Sequence, residues 1–282
     1  MTPSKEPATE SSTLLGVLGR PWVDLTLHID PRPLDELHEE ICLGLAQLPL
    51  GYTGGSHRSM GIVPSRRKDD VLRDYGEVIS QLSDAEFAVF RSLSDRPDLF
   101  PSERGSETTF GEERAVPLSR RQMMWLKIRY GVYFPWKGYL ELMPNHRWDD
   151  KADPNGKRFT RVAETFFPKT LAFVRALPFK HVGRCLVMGV EGNDWGTVHR
   201  DGHPEEQQAP DEFISFCPAG DKRLFLYDEG LDREVPIESR IYWFNDFDYH
   251  GVAVSPVFRY SVRVDGVFQD EFRERLVAEA AR

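Results

Sequence analysis

Beyond Pro178 the chain becomes a series of short apolar or alternating runs, at 184–190, 196–200, 212–217, 223–227, 240–245 and 259–265, parted by Gly, Pro, Asp and Asn. Runs of this length bounded by turn formers read as β-strands. No helical period intervenes, so the strands must cover one another's apolar faces, and an antiparallel sandwich or barrel is predicted.

The first half has a different texture. Residues 1–20, rich in Ser, Thr, Pro and Glu, read as a flexible tail. From Leu34, apolar residues recur at Leu37, Ile41, Leu45 and Leu48, one face of a helix that Gly51 would stop. Ser83-Asp84-Ala85-Glu86 and Ser119-Arg120-Arg121-Gln122 each pair a hydroxyl with a Glu or Gln three positions on, the capping box that starts a helix. A last helix within 159–177 begins at Pro168, where proline is tolerated in a first turn, and 144–157 before it is a polar turn region. The polar, aperiodic stretch 94–114 reads as a mobile loop, and the sequence leaves open whether it closes as a lid. The predicted class is α+β. A double-stranded β-helix (jelly-roll, cupin-like) core spans 178–270, a mainly helical part at 21–177 belongs to the same domain and packs on one sheet, and a charged C-terminal helix covers 271–282.

Composition narrows the function classes. The chain has 282 residues, 40% of them hydrophobic, enough for a large core, and its formal charge of -9 disfavours a phosphate-binding surface and hence a nucleic-acid partner. No run reaches the length of a membrane span and the N-terminus lacks the pattern of a secretory signal, so a cytoplasmic protein with no membrane partner is expected. Cys42, Cys185 and Cys217 are scattered and without CxxC spacing, which points to small buried apolar side chains rather than a disulfide framework or thiolate zinc site. Nothing bears on oligomeric state.

The chemistry concentrates late in the chain. In Thr197-Val198-His199-Arg200-Asp201-Gly202 the His and Asp are two apart, so on an extended segment both project to one face and reach one ion. A second histidine, His250, follows 49 residues after Asp201, at the interval a jelly roll takes to bring its chain back. Two imidazoles and one carboxylate on one face of a metal leave three positions open for oxidisable ligands and dioxygen. Nine residues after His250 comes Arg259-Tyr260-Ser261-Val262-Arg263, whose alternation puts Arg259, Ser261 and Arg263 on one face. An arginine pointing into an apolar barrel is costly unless a carboxylate pairs with it, which predicts a bound dicarboxylic acid.

His-x-Asp, a distal His and Arg-x-Ser on the following strand resemble the iron(II)/2-oxoglutarate-dependent oxygenase superfamily, over the stretch from His199 to Arg263. Within it, the run to Asp201 and the stretch from Phe244 to Asp265 are similar to the aspartyl/asparaginyl β-hydroxylase and free proline hydroxylase branch. The resemblance implies Fe(II) on His199, Asp201 and His250, 2-oxoglutarate and O2 as co-substrates, and Arg259 with Ser261 binding the distal carboxylate, Arg263 being the alternative anchor. It also implies hydroxylation of a C–H bond of an amino acid, a peptide residue or a related small polar metabolite, with decarboxylation of 2-oxoglutarate to succinate. Desaturation and ring formation use the same ligands. Asp201 disfavours halogenation, for which relatives replace the carboxylate ligand with a small residue.

His203, in Asp201-Gly202-His203-Pro204, is either a substrate contact near the metal or a surface turn residue, and Arg223 either faces the site or an exposed edge. His28, His38, His57, His146 and His181 lack metal-like spacing, and Gly54-Gly55 and Arg66-Arg67-Lys68 are too short to signal phosphate binding. The rival functions are a cupin-like metal-binding sensor or structural module without turnover, and a metal-dependent isomerase or hydrolase.

Overall fold

The computed structural model describes residues 11–50, 64, 73–102, 104, 118–134, 138–145, 150–206 and 209–282. Most of the loop expected at 94–114, together with Gly51, Gly54-Gly55, His57, Arg66-Arg67-Lys68 and His146, lies outside them.

Helices form where local signals meet an apolar stripe. Helix α1 (Leu34–Gln47) buries Leu34, Leu37 and Ile41. Helices α3 (Asp84–Ser92) and α4 (Arg120–Tyr130) start on complete capping boxes at Ser83/Glu86 and Ser119/Gln122, and α4 stops at Gly131, whose φ of 66° suits a residue without a Cβ. Helix α6 (Pro168–Ala176) begins at Pro168 and follows α5 (Arg161–Phe166), which Thr160 caps. The seven-residue α2 (Tyr75–Gln81), capped by Asp74, is too short to show a period in sequence. A C-terminal helix, α7 (Asp270–Ala280), buries Phe272 and Leu276.

The strands form two antiparallel sheets. The larger holds β1 (Trp22–Asp24), β2 (Gly138–Met143), β3 (Phe179–Val190), β5 (Phe213–Phe216), β8 (Ile241–Phe244) and β10 (Arg259–Phe268), in the order β1-β8-β5-β10-β3-β2. The smaller is β4 (Gly196–His199), β6 (Leu224–Asp228), β7 (Arg233–Pro236) and β9 (His250–Val252), in the order β4-β9-β6-β7. From β3 onward the chain crosses between the sheets at every step but that from β6 to β7, so all the other connections span the gap between them. Six of these strands match the expected runs; β7 and β9 were not anticipated. β7 is a mostly exposed sheet edge ending in Pro236, and β9 has three residues, so neither shows an alternation.

The N-terminal half is less purely helical than expected, because β1 and β2 extend the two edges of the larger sheet through β8 and β3. Part of the stretch expected as a flexible tail is bound to the rest of the fold. Residues 12–16 dock on the smaller sheet's loops: Thr13 donates to Asp228, and the Leu15 and Gly16 amides donate to the Asp248 carboxylate at 2.6 and 2.7 Å.

One face of the larger sheet is covered by α1 and α6, with Phe173 edge-on to Phe216 and His38 bonded to the Tyr260 hydroxyl at 2.8 Å. Helices α2, α3 and α4 bury a second apolar cluster around Tyr75, Phe90 and Leu126. At the α1–α6 contact a Cβ on Gly44 would stand 2.4 Å from the ring of fully buried Phe167. Gly44→Ala is therefore expected to cost about 1–3 kcal/mol and to lower the melting temperature by several degrees, read by thermal unfolding. Cys42 departs from expectation: it is exposed on α1, 3.6 Å from His38 Nδ1, while Cys185 and Cys217 are buried. No helix among the described residues is long and apolar enough to cross a membrane.

Candidate metal centre

Strands β4 and β9 set His199 and His250 directly opposite each other, with ring centroids 4.5 Å apart. The two imidazoles are oriented alike. Nδ1 of His199 bonds the Thr197 carbonyl at 2.8 Å, and Nδ1 of His250 bonds the Asp248 carbonyl at 2.9 Å. A carbonyl only accepts, so each Nδ1 carries the hydrogen and each Nε2 keeps its lone pair. Burial holds the protonation of His250 down to about 4, which leaves the ring neutral and ready as a ligand at pH 7.

Asp201 lies just past β4, where its amide bonds the Asp246 carbonyl at 2.9 Å. Its Oδ1 faces both Nε2 atoms, 3.6 Å from that of His199 and 3.9 Å from that of His250. The three ligand atoms lie within 4.8 Å of one another, the one such cluster among the described residues. Donors in adjacent octahedral positions stand about 3 Å apart when bonds are about 2.1 Å, so side-chain shifts of roughly an ångström bring all three onto one ion. Burial, reinforced by the charge of Asp246, raises the Asp201 pKa against the pull of Arg263 and Lys151. A divalent cation bound beside Asp201 would offset that burial by stabilising the ionised carboxylate.

The carbonyls that orient the histidines are themselves pinned from the N-terminal half. The Thr197 amide donates to the Tyr133 hydroxyl at 3.2 Å, and the Asp248 carboxylate receives the Leu15 and Gly16 amides. Behind Asp201 runs a buried charge network. Arg263 bonds Asp246 through Nη2 at 2.6 Å and Asp265 through Nε at 2.8 Å, with its Nη1 3.6 Å from Asp201 Oδ2. Arg184 holds Asp265 at 2.9 Å, and Lys151 pairs with Asp246 at 3.0 Å and also with Asp211. The carboxylate predicted for an inward arginine is thus supplied at Arg263 by the chain itself.

A separate polar cluster lies further along the same interior. Lys222 is 2% exposed and donates to Ser261 Oγ at 2.8 Å; the Tyr242 hydroxyl shares Ser261 and lies 3.9 Å from Cys217 Sγ. Burial lowers the Lys222 ammonium to about 7. Arg259 is half-buried, its Nε 3.3 Å from Ser255 Oγ, two residues beyond Ser261 on the same strand face. Arg223 points the other way. A φ of 60° turns the backbone there, and the exposed guanidinium donates to the Val254 carbonyl, so its neighbour Lys222 enters the interior instead. His203 is exposed on the turn before Pro204–Glu206.

The structure therefore brings His199, Asp201 and His250 together, puts Ser261 on the inner face, commits Arg263 to carboxylates, and leaves Arg223 outside. Lys222, Tyr242, Asp246, Asp265 and Lys151 are the site residues that sequence reasoning missed. Lys222 stands beside Arg223 in Asp221-Lys222-Arg223, and nothing local tells which of the two cations turns inward.

No protein-family model and no curated protein matches the chain. Among solved structures it is similar to a Pseudomonas putida prolyl-4-hydroxylase (12% identity, TM-score 0.25, over 48% of this chain and 73% of that one). It is also similar to a 2OG-Fe(II) oxygenase family oxidoreductase from Burkholderia pseudomallei (11%, 0.28, over 45% and 66%). A third is the viral collagen prolyl hydroxylase of Paramecium Bursaria Chlorella virus-1 (12%, 0.25, over 65% and 90%). Likenesses this slight carry no weight for chemistry, which rests on the donor geometry.

Proposed function

We propose that this protein is a non-haem iron(II) dioxygenase that consumes 2-oxoglutarate and O2 and hydroxylates a C–H bond. The observation that carries the reading is one interior holding two features: a His–Asp–His face with open positions, and a buried Lys222–Ser261–Tyr242 cluster further in. Two imidazoles and one carboxylate with open sites suit iron(II) oxygen chemistry. On this reading strands β3–β10, which alternate between sheets, form a double-stranded β-helix whose interior is the active site.

His199, Asp201 and His250 would hold Fe(II), and the bound metal would supply dioxygen activation coupled to decarboxylation of 2-oxoglutarate to succinate. Lys222 and Ser261 would bind the distal carboxylate, with Arg259 nearer the end of the interior. Charge balance supports a dianion. Among the described residues, the buried cations Lys151, Arg184 and Arg263 pair with four carboxylates, those of Asp201, Asp211, Asp246 and Asp265, one more negative than positive charge within this set. A divalent ion makes the site positive, a dicarboxylate returns it to one negative charge, and protonation of Lys222 brings it to neutrality. The substrate class, an amino acid, a peptide residue or a small polar metabolite, follows from the sequence resemblance, and Asp201 favours hydroxylation over halogenation.

Purified protein supplied with Fe(II), O2 and 2-oxoglutarate alone is expected to release succinate slowly, and faster when a pool of amino acids or peptides contains the substrate. Tight iron binding with no succinate under any of these conditions would overturn the reading in favour of a metal-binding module.

A further inference from the structure

Resting on the reading of His199, Asp201 and His250 as metal ligands, we propose that Arg263 is a positioning residue that makes Asp201 a one-oxygen ligand. The two carboxylate oxygens of Asp201 have different surroundings. Oδ1 faces both Nε2 atoms, while Oδ2 faces the Arg263 guanidinium at 3.6 Å. That guanidinium has little freedom to move. Nη2 and Nε are bonded to Asp246 and Asp265, and its centre sits 3.8 Å over the Phe213 ring. The anchors are anchored in turn, Asp265 by Arg184 and Asp246 by Lys151.

The same Asp246 reaches Asp201 a second way, because its carbonyl accepts the Asp201 amide at 2.9 Å. Backbone and side chain of the metal-ligating aspartate are thus both tied to one rigid group of charges. A carboxylate beside a divalent ion readily turns to offer both oxygens, and the second would take one of the positions that a chelating co-substrate and dioxygen need. Arg263 prevents this by holding Oδ2 in a charge-assisted contact on the side away from the histidines. The alternation that put Arg263 on the inner face was correct; its role is to shape a ligand rather than to bind the co-substrate.

The test uses Co(II) in the full-length protein without 2-oxoglutarate or oxygen, so it stands or falls separately from succinate formation. Arg263→Met is expected to shift the visible Co(II) absorption, as a second carboxylate oxygen enters the coordination sphere, and to weaken Co(II) binding about 10- to 100-fold. Arg184→Met removes a buried cation of the same network that does not reach Asp201. It is expected to lower thermal stability while shifting the Co(II) spectrum far less than Arg263→Met, a separation that a purely structural role for Arg263 would not produce. Should Arg263→Met fail to fold, Arg263→Lys decides: it keeps the charge but lacks the fork that spans Asp201, Asp246 and Asp265, so its spectrum is expected to shift as well. A parent-like spectrum in the Arg263 variants, an equal shift in Arg184→Met, or no Co(II) uptake by the parent would overturn the proposal.

Discussion

Replacing His199 with alanine is expected to abolish iron retention and, with it, succinate formation from 2-oxoglutarate. The remaining donors, Asp201 and His250, would form a two-ligand site whose carboxylate is harder to ionise, since burial and Asp246 raise the Asp201 pKa. Loss of one ligand of three removes several kcal/mol of binding, enough to drop iron occupancy below detection after dialysis. The fold is expected to survive. His199 Nδ1 bonds the Thr197 carbonyl, and losing that bond costs about 1–3 kcal/mol. Iron content and succinate yield, with the melting temperature as control, check this. His250→Ala should behave alike, because the two rings are cross-strand equivalents. A folded His199→Ala protein that keeps stoichiometric iron would show that the metal lies elsewhere.

Lys222→Met is expected to weaken 2-oxoglutarate binding to the metal-loaded protein by about 10- to 100-fold, the range for losing a hydrogen bond to a charged group. Iron affinity should change little, because Lys222 is not a ligand. The pH dependence carries the stronger signature. Burial puts the folded-state Lys222 near 7, below the ordinary 10.5, so between about pH 7 and 10.5 the unfolded chain binds a proton that the folded protein does not. The unfolded state then holds more protons, so stability rises with pH across that window and is flat below it. A bound carboxylate reverses the preference and restores the ammonium. Binding above pH 7 therefore takes up a proton, and affinity is expected to fall about tenfold per pH unit there. Lys222→Met should abolish this slope as well as the affinity. Calorimetric titration at several pH values reads both. If Arg259→Leu instead carried the larger loss and Lys222→Met kept the slope, the carboxylate anchor would move to Arg259.

Particular residues show how far sequence reading reaches in this chain. The capping boxes at Ser83 and Ser119, the apolar stripe of α1 and the proline start of α6 are written within a few neighbouring positions, where helix geometry is decided. His199 and Asp201 are likewise local, and the separation to His250 matches the distance at which β4 and β9 pair. Edge strands β1, β2 and β7 form only when a distant partner offers its backbone, so their own residues carry no periodic sign. The strap at 12–16 looks like a tail in composition because the same Ser and Thr that suit a solvated segment here bond Asp228, while the Leu15 and Gly16 amides, which side-chain identity does not reveal, bond Asp248.

The two arginines and the lysine mark the same boundary. Alternation alone put Ser261 and Arg263 on the inner face, since side chains on a strand repeat every two residues. Alternation does not say what that face meets. Asp246 comes from the β8–β9 loop and neutralises Arg263 across the interior, while one backbone turn at Arg223 sends Lys222 inward in its place. Sequence by itself determined which residue types can bind a metal and along which strands they lie, because those depend on local period and chemistry. The tertiary structure alone decided which cation each buried carboxylate meets, because charge pairing in a low-dielectric interior is settled by contacts between segments far apart in the chain.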